Sequence, residues 1–140
     1  MATMNEDERQ QFLSGMHVGV VGLERSDGPP LVVPVWYSYE PGGEVAVLTS
    51  ASSAKGRLAA ASGRGSLCAQ QEDLPYKYVS VEGPIEIDIL GDDAHAAVEP
   101  MAIRYLGEDL GTAYAEGNIA ADEIRLRLQP ERWFSVDYSR

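Results

Sequence analysis

KYVSVEGPIEIDIL, residues 77–90, carries the longest strand pattern in the chain, with Val79, Val81, Ile85, Ile87 and Ile89 on one alternation and Gly83-Pro84 interrupting it. Proline cannot donate to a strand ladder and glycine lets another backbone come close, so the strand is expected to bulge or bend there. A long strand bent in its middle is what a small closed sheet requires.

The flanking segments fit the same architecture. Met16 to Glu24 reads as a strand, Ser26-Asp27-Gly28 with Pro29-Pro30 as a turn, and Leu31 to Tyr39 (LVVPVWYSY) as a second strand. Pro34 marks an edge, a bulge or an opening in the sheet. Glu40-Pro41-Gly42-Gly43 turns the chain into a third strand, Glu44 to Thr49, and the three together predict an antiparallel meander. Residues 1–15 predict a short helix capped by Asn5, with Phe12 and Leu13 inward. Residues 16–90 supply the main strands. A helix is expected over 92–106 with a distortion at Pro100, and Gly107 to Ala121 reads as loop with at most a turn of helix, because it is Gly-rich and shows no clear period. Residues 123–138 give two closing strands, the first alternating Ile124, Leu126 and Leu128 against Glu123, Arg125 and Arg127. The sum is one mainly β domain spanning 1–140, with few helices and the pattern of a small antiparallel barrel. The phosphate-binding and dinucleotide glycine motifs are absent from it.

Composition narrows the function. With 22 acidic residues against 11 basic and a net charge of −11, the chain has no cationic face for nucleic acid. Cys68 is the only cysteine, so no internal disulfide can form. The acidic start (Glu6, Asp7, Glu8) is unlike a secretory leader, and no apolar run is long enough to span a bilayer, so a soluble cytoplasmic protein is expected. His17 and His95 do not form a metal-binding pattern, and no metal is expected.

Against this acidic background, VAVLTSASSAKGRLAAASGRGSLCAQQ at 45–71 is distinctive. It reads as strand, hydroxyl-rich turn, short helix and strand, with Lys55 and Arg57 directly after Thr49, Ser50, Ser52 and Ser53. Hydroxyls and free amides at a helix start hold phosphate oxygens, while a lysine adds a point charge and an arginine a bidentate fork. An ordinary capped surface helix with two solvated cations has the same composition.

The order of these segments resembles the flavin-binding split barrels of the pyridoxamine 5'-phosphate oxidase-like superfamily. GPPLVVPVWYSYE at 28–40, VAVLTSASSAKGRLAAAS at 45–62, PYKYVSVEGPIEI at 75–87 and RLRLQPERW at 125–133 carry the resemblance. PVWY and YKYVSVEG are more similar to the branch of flavin/deazaflavin oxidoreductases that uses the deazaflavin coenzyme F420, whereas AKGRL at 54–58 also resembles the turn that holds flavin mononucleotide (FMN). The resemblance implies a split β-barrel homodimer with cofactor grooves at the subunit interface. It implies that Lys55 and Arg57 meet the cofactor's phosphate or acidic tail, helped by Ser50, Ser52 and Ser53. Val33, Pro34, Val35 and Trp36 would lie along the ring. Lys77 would sit near the same groove, Gln70 and Gln71 would contact ring or tail, and Trp133 would approach the partner's cofactor. Tryptophans such as Trp36 and Trp133 are more often core or dimer-interface residues than cofactor contacts. The implied activity is hydride transfer from the reduced deazaflavin to an unsaturated or conjugated small molecule. FMN-dependent oxidation or reduction, and cofactor binding without catalysis, are the alternatives. No side-chain acid or base is assigned; Tyr37, Tyr76 and Tyr78 are expected to line the substrate pocket rather than donate a proton.

Overall fold

The computed structural model describes residues 2–140. Its elements in chain order are α1 (Glu6–Ser14), β1 (Gly19–Leu23), β2 (Leu31–Val35), β3 (Val45–Ser50), α2 (Ala54–Ser62), β4 (Arg64–Gln71), β5 (Lys77–Ile89), a 3-10 turn at Gly91–Asp93, α3 (Ala94–Leu106), α4 (Glu108–Gly117), β6 (Glu123–Leu128) and β7 (Arg132–Asp137). The strands run β2-β1-β4-β5-β6-β3, with β7 joined to β5, and every pairing is antiparallel.

The bend expected in 77–90 organises this sheet. Residues 77–82 of β5 pair with β7, residues 85–89 pair with β6, and the exchange of partners falls at Gly83-Pro84. The β6–β7 connection crosses the strand at that point. Gln129 N donates to Pro84 O at 3.0 Å and Glu131 N to Glu82 O at 3.0 Å. A Cβ on Gly83 would collide with the carbonyl of Gln129. Glycine is therefore required by close approach of two backbones. The two halves of β5 curl the sheet, and Val21, Leu23, Val47, Leu67, Val79, Val81, Leu126 and Leu128 fill its inner face.

Helix α1 seals one side. Asn5 and Glu8 form a reciprocal cap, Glu8 N to Asn5 Oδ1 at 2.8 Å and Asn5 N to Glu8 Oε1 at 2.9 Å. Leu13 is fully buried, and the Tyr37 hydroxyl donates to the Leu13 carbonyl at 2.7 Å. Burial pushes the Tyr37 phenol far above its usual range, so it stays a neutral donor.

Two expectations are corrected. The first three strands are not a meander: β2 pairs with β1, but β3 pairs with β6 along Val45↔Leu128 to Ser50↔Glu123. After Pro34 the chain leaves the ladder at Val35, and a lone bridge, Ser38↔Ala46, links that passage to β3. Pro34 itself sits on an edge strand, as its missing N–H requires. Secondly, 107–121 is not a loop, since α4 occupies Glu108–Gly117. Gly107 turns the chain with φ +85°, and Gly111 and Ala115 are the residues α4 buries. Small side chains on the packed face hide the helical period from a hydrophobicity reading. The preceding helix matches its expected span except that its first turn is 3-10, and Pro100 lies inside it on the exposed side.

Candidate functional site

A cavity of about 420 Å³ lies where the end of β2, the start of α2, the α3–α4 pair and β6 meet. Pro34, Val35 and Trp36 form one wall, and Leu48, Val98 and Met101 supply apolar surface. Val18, Tyr114 and Asn118 complete the lining together with two charged residues, Lys55 and Glu123. Trp36 is held flat: its ring stacks on Tyr105 at 5.2 Å and 4°, and tilts against Tyr114 at 5.3 Å. The Tyr105 hydroxyl accepts from Tyr37 N at 3.1 Å and donates to His17 O at 2.6 Å, which ties α3 to the strand ends beneath the tryptophan. A second hollow of about 790 Å³ between β1, β4 and the β5 bend is lined by Glu24, Arg64, Glu82 and Arg132. Its arginines are already paired, Arg64 with Glu24 at 3.1 Å and Arg132 with Glu82 at 3.4 Å, so it offers no uncommitted cation.

The hydroxyl-rich turn is built as a helix cap. Ser53 Oγ accepts from Gly56 N at 3.1 Å and donates to Ser50 O at 2.7 Å, with Thr49 Oγ1 2.9 Å away. Gly56 is needed here, since a Cβ would stand 2.5 Å from the Ser50 carbonyl oxygen. The remaining donors hold the chain's own carboxylate: Ser50 Oγ donates to Asp122 Oδ1 at 2.8 Å and Ser52 N to Asp122 Oδ2 at 3.0 Å. These donors hold the Asp122 carboxyl below the usual carboxylate range. Of the groups predicted for an external anion, the lysine is the one that reaches the cavity.

Of the sequence-predicted residues, Pro34, Val35, Trp36 and Lys55 come together in the cavity lining. Val33 packs against the core. Arg57, two positions from Lys55 on α2 and so on the opposite side of the helix, is exposed. Gln71 is spent locally, donating to Pro75 O at 2.7 Å and Asp73 O at 3.2 Å. Lys77 faces Asp137 at 3.9 Å. Trp133 lies under the Arg9 guanidinium at 4.7 Å and meets Tyr39 edge-on at 6.1 Å.

Glu123 is a lining residue that the sequence pattern did not mark. Alternation put it on the solvent side with Arg125 and Arg127, and those two do meet acids there; Arg127 binds Asp88 at 2.8 Å, Glu86 at 3.0 Å and Glu44 at 3.1 Å. Glu123 is only 7 % exposed. It stands at the first position of β6, where 120–122 fold over it and Ala120 N donates to its Oε1 at 3.0 Å. Nothing in the local pattern distinguishes it from its arginine neighbours. Tyr114 and Asn118 were hidden for the same reason as α4.

Among the described residues, one cluster has metal-like proximity: His95, Glu99 and Glu116 on α3 and α4. It lies on the surface, with His95 Nε2 3.5 Å from Glu99 and 3.7 Å from Glu116. His17 is remote from it in the fold, stacked on Phe12 at 4.4 Å, and burial lowers its affinity for a proton.

No family model matches the sequence, and neither does any curated protein. Solved structures do match in shape. A conserved hypothetical protein from Mycobacterium tuberculosis superposes with TM-score 0.78 at 24% identity, over 96% of this chain and 86% of that one. A structure described as an F420 reductase gives 0.71 at 22%, over 89% and 94%. A Listeria innocua protein provisionally named a pyridoxamine 5'-phosphate oxidase gives 0.71 at 11%, over 94% and 97%. The chain thus has the split-barrel fold of the pyridoxamine 5'-phosphate oxidase-like proteins.

Proposed function

We propose that the cavity binds the ring of a flavin-type redox cofactor and that the protein is an oxidoreductase using it, with coenzyme F420 as the cofactor and FMN as the second reading. The observation that carries this is an aromatic and apolar cavity of about 420 Å³ with a lysine on its wall, set in a split barrel. A planar ring suits the flat Trp36 face and the aliphatic surface of Pro34, Val35, Leu48 and Met101, where stacking and area burial supply affinity. Lys55 makes no ion pair among the described residues, which leaves its ammonium for a ligand's acidic group. The Ser50 and Ser52 donors fit a phosphate less well, since Asp122 engages them.

When bound, a reduced deazaflavin supplies a hydride, and the chain supplies position, charge and exclusion of water. Met101 and Val98 on α3 and Tyr114 on α4 line the cavity, so the α3–α4 pair forms one of the walls against which the ring would lie. The choice of F420 ahead of FMN rests on the PVWY and YKYVSVEG resemblance and is consistent with the fold of the F420 reductase. Titrating each cofactor while following tryptophan fluorescence tests it, because Trp36 lines the cavity. Tighter binding of FMN moves the assignment to the second reading. Tight binding without oxidation of reduced cofactor across a broad substrate panel makes the protein a cofactor carrier.

Within this reading, Lys55→Ala should weaken cofactor binding by about tenfold or more, the worth of one charge-assisted contact of roughly 1.5 to 3 kcal/mol. Arg57→Ala, on an exposed face, should change it little. Equal losses from the two variants, measured by equilibrium titration, would place the ligand's anion outside the cavity.

We also infer a homodimer. Met16, Val18 and Val32 are more than half exposed around the β1–β2 edge, and Val18 also lines the cavity. An apolar sheet edge beside a ligand cavity is a surface that a second copy would cover. Sedimentation at micromolar concentration should give a dimer; a monomer alone would refute it.

A further inference from the structure

The ring-binding reading leaves Glu123 unexplained. A carboxylate that is 7 % exposed, in a cavity whose lining is mostly aromatic and aliphatic with Lys55 and Asn118 as the other polar side chains, is costly unless its oxygens are used. Oε1 accepts from Ala120 N at 3.0 Å, which anchors the side chain. Oε2 has no hydrogen-bond donor among the described residues, and Glu123 makes no ion pair there. Lys55, which lines the same cavity, is not within ion-pair distance of it. The cavity therefore holds one uncommitted positive group and one uncommitted acceptor. A ligand that fills it favourably presents both an acidic group and a hydrogen-bond donor.

We infer that Glu123 selects the ring by accepting a hydrogen bond from a ring N–H, which makes it a specificity residue for imide- or amide-bearing heterocycles. This rests on the proposed ring binding. A buried carboxyl oxygen discriminates strongly as an acceptor, because a ring lacking the N–H leaves it without a partner. The discrimination comes from the penalty on the wrong ligand more than from the strength of the right contact. Glutamate is suited to the position for a second reason: anchored through Oε1, its carboxylate plane is held by the backbone of 120 and cannot swing to follow an ill-matched ring.

The test uses two tail-less rings, lumiflavin and 3-methyllumiflavin, which differ in whether the imide nitrogen carries hydrogen. Because neither has a phosphate, the result does not depend on how the acidic group is held. Wild-type protein, followed by tryptophan fluorescence, should bind lumiflavin about tenfold more tightly than its methylated analogue. Glu123→Gln keeps the shape and an oxygen for Ala120 N but turns a donor toward the ring, so it should bring the two affinities within about twofold of each other. Equal affinities in wild type overturn the inference, and this arm stands even if the variant folds poorly. A preference that survives in folded Glu123→Gln also overturns it, since the methyl group would then be excluded by shape alone. Failure of folded wild type to bind either ring is a different result: it removes the ring-binding reading itself.

Discussion

Gly83→Ala should destabilise the protein by roughly 3 kcal/mol, at the upper end of what a single added methyl does in a packed interior. The reason is the partner exchange in β5. At Gly83 the strand passes from β7 to β6, and the 129–131 connection lies directly across it, hydrogen-bonded on either side through Pro84 O and Glu82 O. The obstructing atom for a new Cβ is the Gln129 carbonyl, with the Glu131 nitrogen 3.3 Å away. Both are backbone, so no side-chain rotation relieves the clash. Either the connection lifts, breaking two hydrogen bonds, or β5 straightens and the curl of the sheet is lost. Gly22→Ala on β1 is the matched control, since its Cβ would meet nothing closer than Ser66 Cβ at 3.9 Å. It should cost less than about 1 kcal/mol in urea denaturation. Similar losses from the two variants would mean that the crossing does not constrain the bend.

What was legible in the sequence follows from the range of the forces involved. The bend at Gly83-Pro84 could be read because its cause is local, two residues with special backbone properties inside a strong alternation. The Asn5 cap is local in the same sense. The pairing of β3 with β6 was not legible, because it joins segments more than seventy residues apart and depends on β5 being long enough to serve both halves of the sheet. The site divides along the same line. Trp36 and Lys55 stand in recognisable segments, whereas Asp122 answers the Ser50 and Ser52 donors across the sheet, and no window around either group shows the pairing. Lys77 faces Asp137 and Trp133 lies under Arg9, and these partners, sixty and more than a hundred residues away in the chain, are equally invisible in the segments around them.

Gly111→Ala should have the largest effect on the cavity of any substitution outside its lining. A Cβ at Gly111 would stand 2.5 Å from both Cα and N of Ile103 and 2.8 Å from the Ala102 carbonyl carbon, so α4 touches α3 backbone to backbone. The added methyl forces the two helices apart, and Tyr114 and Asn118, one and two turns further along α4, move with it. Tyr114 then loses its contact with Trp36, which is 5.3 Å between rings in the native packing. Little else resists the displacement, because Gly111 and Ala115 are the residues α4 buries and Leu110 is exposed. The stability cost should be roughly 2 kcal/mol, in the usual range for overpacking, partly offset by the better helix propensity of alanine. Ligand affinity should fall by about tenfold or more, since a wall of the cavity moves while Lys55 and Glu123 stay in place. The tryptophan emission of the unliganded protein should shift as well. Gly117→Ala at the end of the same helix, with nothing within 4 Å of its Cβ, should leave stability and binding near wild type. If Gly111→Ala lowers the melting temperature but leaves ring binding and tryptophan emission unchanged, α4 is a structural brace, and Tyr114 plays no part in holding the ring.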